Sequence, residues 1–432
     1  MIVSLKVLKL FGYILIGLIA FYVFLAAFIR LKMHFWHTQP VFHIYNLKYW
    51  LRPPGIINHE PPALNKFVNL SNNQMIEVAN EVGPNEVDAN DVANDIDTSS
   101  NSLVRTTSQI SQFIRDYYVI HADAVYKPSK QDILAYLQCA NQPAYFNIYK
   151  EDKMPFIAEQ EMLGVISARL LNVTLVKKIN KNKHKSPLNF PVYYIDNLCV
   201  KPGHRQKGIA PEMIQTLHYN ISRANPKVNA YLFKREGKLN AIVPLVCYDT
   251  YAFDLTHYQT DFILTAAMTI IEIGIAQLNL FVAFMKEQMP NFECIILPDI
   301  SSVLNLIKLG KIKIYGILFQ GELTAVYIFR ILELYYAEKK AIECITILSK
   351  KNTPADIDNE ILITGFTLSW AKISADTGCS IVLIEETAHS KAVILTLLEN
   401  PLIPLQFKSP TAFFLYNYAT YSVKNTKALL FY

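Results

Sequence analysis

The stretch Y-I-D-N-L-C-V-K-P-G-H-R-Q-K-G-I-A-P, running from Tyr194 to Pro211, decides how the rest of the chain is read. Apolar and polar residues alternate at first, as in a half-buried strand. A proline, a glycine and four basic or imidazole side chains follow, and helical spacing begins at Ile209. Ala210, Met213, Ile214, Leu217 and Ile221 then share one helical face, and Pro211 suits a first turn, where no amide partner is lost. A strand feeding a basic turn into a helix is either an ordinary capped turn or an anion site. The second reading has a physical basis: the first amides of a helix are unpaired, its dipole presents a positive end, and Arg205 and Lys207 would add charge there.

Outward from this stretch, 432 residues point to two units of similar size, and a 52% hydrophobic composition supports a large core. The net charge of +5 is modest, and no basic run interleaved with aromatics occurs, which argues against a nucleic-acid partner. The six cysteines are scattered without a C-x-x-C pair and lie mostly in apolar segments, so they read as buried free thiols of a reducing compartment. There is no G-x-S-x-G, H-E-x-x-H or Walker loop. The ten dispersed histidines form no metal-ligand spacing with cysteines, so no metal is expected.

Leu10 to Ile29 contains no charged residue and is flanked by Lys6, Lys9, Arg30 and Lys32. Roughly 20 apolar residues match one bilayer crossing. Ala26 and Ala27 match a signal-peptide cleavage site poorly and no polar face is visible, which favours an uncleaved anchor over a signal peptide or a core helix. Basic residues at both ends leave the orientation open. Phe35 and Trp36, just after the anchor, suit the headgroup level. Residues 52–102 are rich in Asn, Pro, Asp and Glu and read as a loose linker, or as a partly ordered strap.

Folding is expected to resume near Leu103, with a helix marked by Ile110, Phe113, Ile114 and Tyr117 and a loop from Tyr118 to Tyr126. Short strands follow at Phe156–Ala158 and Leu163–Ala168 around a Gln-Glu turn, then a charged loop from Lys177 to Lys185. Beyond the opening stretch, strands are expected at Asn229–Phe233 and Leu239–Cys247. The C-terminal half repeats the order with strands at Ile314–Phe319 and Leu323–Phe329, helical spacing over Ile361–Ile373, and a buried strand at Ser380–Glu385.

The motif R-x-x-G-x-A, Arg205 to Ala210, resembles the pyrophosphate loop of the GNAT acyl-CoA N-acyltransferases. The longer string L-C-V-x-x-x-x-R-x-K-x-x-A-P and the upstream F-W-x-T-Q-P-V, Phe35 to Val41, resemble N-myristoyltransferases, as do the internal repeat and the closing F-F-L-Y-N-Y, Phe413 to Tyr418. The resemblance implies an α/β (α+β) chain of two tandem GNAT-like halves related by a pseudo-two-fold, preceded by one transmembrane helix. Its divisions would be an anchor (1–32), an acyl-CoA-contacting arm and acidic linker (33–102), an N-terminal half holding acyl-CoA (103–260) and a C-terminal half on the acceptor side (261–432).

It further implies a long-chain acyl group, myristoyl by family, moving from acyl-CoA to the N-terminal glycine amine of a protein or peptide. Acyl-CoA would be a co-substrate, with no permanently bound cofactor. Acyl-CoA contacts fall on Phe35, Trp36, Thr38, Gln39, Leu198, Cys199, Val200, Arg205, Gln206, Lys207, Gly208, Ile209 and Ala210. Oxyanion donors fall on the amides of Asn197 and Leu198, and the base is the carboxylate of Tyr432, whose apolar surroundings in A-L-L-F-Y would raise its pKa. The alternative is that Phe431 and Tyr432 form an ordinary last strand. A cytosolic catalytic domain on a single-pass anchor completes the expectation, since acyl-CoA is found there.

The acceptor side departs from the pattern. Tyr231, Leu232, Phe233 and Lys234 replace the family's Y-T-A-G, and Tyr248, Asp249 and Thr250 replace a Tyr-Trp-His run. Of the acidic loop that contacts the peptide, only Asp123 remains. A changed acceptor, another GNAT activity, and a membrane-tethered acyl-CoA binder without turnover are therefore open alternatives.

Overall fold

The computed structural model describes residues 5–32, 34–51, 55–78, 98–119, 124–139, 142–154, 157–176, 187–237, 241–258, 268–350 and 355–432. Strand Pro187–Val200 runs antiparallel to Ile157–Val176, and from Tyr193 to Ile195 it pairs in parallel with Tyr231–Glu236 on its other side. A parallel neighbour needs a crossover. The helix Ile209–Ala224 provides it, with Ile209, Met213, Leu217 and Ile221 buried at four-residue spacing and Ala210 and Ile214 partly buried beside them. Gly164 permits the close approach, because a Cβ there would stand 2.5 Å from Met213 Sδ.

The C-terminal half repeats this plan. Ile312–Phe319, Glu322–Tyr336 and Lys339–Ser349 form an antiparallel run, and Lys339–Ser349 then pairs in parallel with Ile381–Glu385 after the helix Ala355–Thr377. The two halves exchange their last strands. Val246–Asp254, which follows the first half in sequence, pairs with Ile381–Glu385 of the second, while Leu405–Tyr416 pairs with Tyr231–Glu236 of the first. These exchanged strands pair with each other, so among the described residues one 15-stranded sheet runs through both halves. The helix Leu5–Lys32 lies outside this body; its span Val7–Leu31 is long and apolar enough to cross a membrane, and most of its large side chains are exposed.

Several expectations need correction. Ile157–Val176 is a single strand with no turn at its Gln-Glu pair, and Met154 of the preceding strand pairs with Ile157. The strand expected from Leu239 starts at Val246. The expected linker is ordered in part: Gly55–Ile56 pairs with Tyr418–Ala419, and Asn73–Val78 pairs with Ala144–Met154. Alternating Met75 and Ile76 with polar neighbours had no hydrophobic run to reveal them. A helix begins at Thr98, ahead of the expected Leu103, and Ala124–Tyr126 of the expected loop forms a short strand on Glu322–Tyr336. The Lys177–Lys185 loop, Asp123 and the acidic stretch 79–97 lie outside the described residues. Five cysteines are buried free thiols, and Cys247 is exposed.

The helix Ala355–Thr377 presses on its sheet at Gly365, where a Cβ would meet the Tyr327 phenol and, at 2.6 Å, Ile317 Cγ1. Tyr327 is fixed there by donating to the Leu362 carbonyl at 2.8 Å. Gly365→Ala should therefore destabilise the fold by about 1–3 kcal/mol, the usual cost of overpacking. A lower urea midpoint at unchanged slope is the expected result, and an unchanged midpoint would show that the helix can retreat freely.

Candidate functional site

A cavity of about 1210 Å³ occupies the gap where Pro187–Val200 leaves its parallel neighbour. One part of its wall is apolar and aromatic: Trp36, Ile214, Leu217, Tyr231, Phe233 and Tyr416. The other part carries charge, with Arg169, Asp196, Lys234, Arg330 and Glu343. The cavity thus offers an apolar limb beside the crossover helix and a charged limb that reaches the second half.

The gap opens at a bulge. Ser167 pairs with Asp196 and Val165 with Cys199, so Asn197 and Leu198 together face only Ile166. Asn197 takes a left-handed backbone, φ 53°, which asparagine tolerates better than most residues. Its side-chain amide donates to Ser167 Oγ at 2.9 Å, and Ser167 donates to the Asp196 carbonyl at 3.1 Å. Asn197 and Leu198 both line the cavity. The Asn197 amide, however, donates to Asp196 Oδ1 at 2.8 Å, so it is engaged with a carboxylate in this state.

Beyond the bulge, the loop carries left-handed Gln206 (φ 64°) and Gly208 (φ 90°) before the helix. Among the described residues, the amides of Gln206, Lys207, Gly208, Ile209 and Ala210 find no acceptor. Five open donors at the positive end of a 16-residue helix suit an anion. Lys207 is exposed at this loop. Arg205 has a different setting from the one expected: Nε donates to the Val200 carbonyl and Nη2 to the Tyr117 carbonyl, both at 3.0 Å, so two of its donors brace the loop. Cys199 is buried, and Val200 with Ile209 joins the core beneath the helix.

The arm packs onto the apolar limb. Trp36 stacks on Phe233 with centroids 5.5 Å apart, and Phe35 meets Phe67 edge-on at 5.2 Å. Thr38 Oγ1 donates to the Phe35 carbonyl at 2.8 Å, and buried Gln39 accepts from Tyr416 at 2.7 Å. Of these four, Trp36 lines the cavity. Tyr416 also meets His218 Nδ1 at 3.2 Å, and His218 lies edge-on to both Tyr231 and Tyr416.

The charged limb contains residues that the sequence reading missed. Lys234 is paired with buried Glu385 at 2.8 Å and receives the Tyr432 phenol as a second partner at 2.8 Å. Tyr432 itself donates to Glu385 Oε1 at 2.5 Å. Arg330 Nε donates to Glu343 Oε2 at 2.8 Å, from directly across the strand pair. Burial alone would lower the Lys234 pKa, but Glu385 and Tyr432 hold it well above the usual lysine range. Burial likewise opposes the Glu343 charge, yet Arg330 and Lys234 keep that carboxyl below its ordinary value. Tyr432 is buried between Tyr194 and Phe413, outside the cavity lining, with its phenol directed to this ion cluster. The signal was present in the sequence as lone charges inside apolar strands, such as Arg169 in A-R-L-L and Arg330 in F-R-I-L. Among the described residues no group of His, Cys, Asp and Glu could hold a metal ion.

An antiparallel run, a helical crossover, a splayed parallel pair and their repetition through exchanged strands make a fold of two GNAT-like halves. Among solved structures, Saccharomyces cerevisiae N-myristoyltransferase with bound myristoyl-CoA matches at TM-score 0.62 and 13% identity, covering 91% of this chain and 94% of that one. A second structure of it with myristoyl-CoA matches at TM-score 0.63 and 13% identity, over 91% and 89%. A third, with myristoyl-CoA and inhibitors, matches at 0.64 and 14%, over 94% and 95%. No protein-family model matches the sequence, and no curated protein matches it. The chain thus resembles N-myristoyltransferase in fold at very low sequence identity.

His218 supplies a pH test of the apolar limb. Burial, with a smaller push from Arg223, lowers its pKa from 6.5 to about 4. The folded protein keeps the ring neutral, so this contribution is complete above pH 6.5 and is lost as pH falls toward 4. Its size is on the order of 3 kcal/mol. Urea midpoints should therefore fall more steeply between pH 6.5 and 4 in the native protein than in His218→Gln; equal slopes would place the ring in water.

Proposed function

We propose that the protein transfers a long-chain acyl group, myristoyl being the family's choice, from acyl-CoA to an amine, for which the resemblance implies an N-terminal glycine. One observation carries this reading: a single helix bears five open amides at its N-terminus and, one to two turns on, the apolar wall of the cavity through Ile214 and Leu217. A molecule with phosphates at one end and a long hydrocarbon at the other fits that arrangement. The thioester carbonyl then falls near the bulge, where the Leu198 amide, and the Asn197 amide once Asp196 releases it, would steady the oxyanion.

In this mechanism the neutral amine attacks the thioester carbon, the C–S bond breaks, and CoA leaves as the thiol after gaining a proton. No acyl-enzyme forms. Two carboxylates are candidates to take the amine proton: that of Tyr432, from the resemblance, and that of Asp196, which lines the cavity. The anchor reading of Val7–Leu31 would hold the site at a membrane, with the acyl-CoA-binding body in the cytosol. The chain divides, in this reading, into the anchor, the arm and linker, and the two halves that meet near residue 260.

A second reading is a tethered acyl-CoA binder without turnover. It is favoured by the occupied Asn197 amide and by Lys234 standing where the family has a glycine. Detergent-solubilised full-length protein should bind myristoyl-CoA in calorimetry and transfer radiolabelled myristate to glycine-first peptides. Binding without transfer supports the second reading, and absence of binding removes both. Gly208→Val, strained at φ 90° by about 1–2 kcal/mol, should weaken myristoyl-CoA binding about tenfold if the loop amides hold the phosphates; unchanged affinity would separate the loop from the ligand.

A further inference from the structure

Arg169 is 5% exposed, lines the cavity, and makes neither a hydrogen bond nor an ion pair among the described residues. Its contacts are two aromatic faces, the rings of Tyr136 at 5.3 Å and Tyr194 at 5.0 Å. Lys234 and Arg330, the cavity's other strongly buried cations, are each paired with a carboxylate. Aromatic faces attract a guanidinium but accept none of its five N–H groups in the geometry that a carboxylate offers. A buried charge in that condition is costly unless an anion reaches it. Burial depresses the Arg169 pKa, Tyr194 and Asp196 oppose that fall, and Arg330 adds to it.

The position is telling. Arg169 lies two residues beyond Ser167 on the same face of its strand, about 7 Å along it. Ser167 is the residue that holds Asn197 at the bulge and stands in register with Asp196. Asp196 has the complementary property. The other acidic residues of the cavity wall, Asp132, Glu236, Glu333 and Glu343, each have a lysine or arginine partner, and Asp196 has none among the described residues. A carboxylate and a guanidinium that feel each other's charge, yet form no salt bridge among the described residues, thus stand on adjacent strands beside the point where the thioester would lie.

We infer that the acceptor is an amine that itself carries a carboxylate, held with its carboxylate on Arg169 and its ammonium on Asp196. The inference rests on the transfer reading above and narrows its acceptor. The acceptor ammonium gives a proton to the Asp196 carboxylate; the amine nitrogen forms its bond to the thioester carbon as the C–S bond breaks. The Asp196 proton passes to the departing thiolate, and the second proton that the nitrogen sheds on becoming an amide goes to solvent water, so the products are an N-acyl amide with a free carboxylate, CoA thiol and one released proton. Binding of the ammonium by Asp196 also draws that carboxylate from the Asn197 amide, which frees the amide for the oxyanion. The carboxylate can belong to a free small amino acid such as glycine, or to an acidic side chain that follows an N-terminal glycine.

The test uses full-length protein with myristoyl-CoA and four acceptors: glycine, glycinamide, a Gly-Asp peptide and its Gly-Asn counterpart. Whichever carboxylate source is used should exceed its neutral twin by about 10- to 100-fold in kcat/KM, the range for one charge-assisted contact. Arg169→Gln should abolish that preference, and Arg169→Lys should keep part of it. N-myristoylglycine and N-myristoylglycinamide provide a binding readout that needs no turnover. If no amine is acylated but N-myristoylglycine binds more tightly than its amide, the transfer reading fails and the carboxylate site stands. If neutral and anionic acceptors react equally and both products bind equally, the transfer reading stands and the inference falls. Should Arg169→Gln fail to fold, the comparison of ligands on the native protein decides alone.

Discussion

The structure depends on how briefly two parallel strands stay together. Pro187–Val200 and Tyr231–Glu236 are in register at three positions, Tyr193 to Ile195, before the bulge at Asn197 turns the first strand away. A sheet interior with unpaired backbone groups is unfavourable unless something satisfies them. Here side chains do part of this: the Asp196 carboxylate accepts from the Asn197 amide, and the Ser167 hydroxyl donates to the Asp196 carbonyl. The gap left by the divergence becomes the cavity, and the crossover helix that the parallel pairing requires becomes its apolar wall. Phosphate-type donors, hydrocarbon wall and bulge are thus consequences of one topological choice.

Exchange of the last strands ties the halves into one object. Val246–Asp254 and Leu405–Tyr416 each pair with the opposite half, so neither half can complete its sheet without the other. The charged limb depends on this, because Lys234 comes from the first half while Glu385, Arg330 and Glu343 come from the second. Removing one partner of a buried pair leaves an uncompensated charge, a loss of about 3–5 kcal/mol. The ion cluster therefore tolerates little relative movement of the halves.

Much of this was legible from the sequence where a local rule coincided with the tertiary demand. The helix after Gly208 shows its buried face at regular spacing, and the repeat shows in the matching order of strands and helix. Strand limits were less legible. Ile157–Val176 contains Gln160 and Glu161, which read as a turn, yet their pairing with Asp152 and Glu151 holds them extended. Asn73–Val78 lay within a polar stretch, and only its pairing with Ala144–Met154 makes it a strand. In the site, Asn197 and Leu198 could be placed at the splay from the motif, but the engagement of the Asn197 amide by Asp196 is a fact of geometry. Arg205 was legible as a cation; that its donors face two backbone carbonyls depends on Tyr117, 88 residues away in sequence.

The residues that stand where the family has Y-T-A-G are coherent in physical terms. Phe233 fills a position between Trp36 and Phe414, stacked on both, and so belongs to the apolar limb. Lys234, the next residue, points to the other face of the strand, as alternation requires, and meets Glu385 and Tyr432. Introducing a lysine at a buried position demands a matching acid, and Glu385 at 2% exposure answers it while itself needing a cation in return. The two positions thus depend on each other, and Tyr432 bridges them. Once that pair is closed, neither side chain is available to an acceptor without leaving the other charge uncovered. Of the buried charges in this cavity, Arg169 and Asp196 are left without a salt bridge among the described residues, so the proposed acceptor would meet them and not the closed Lys234–Glu385 pair.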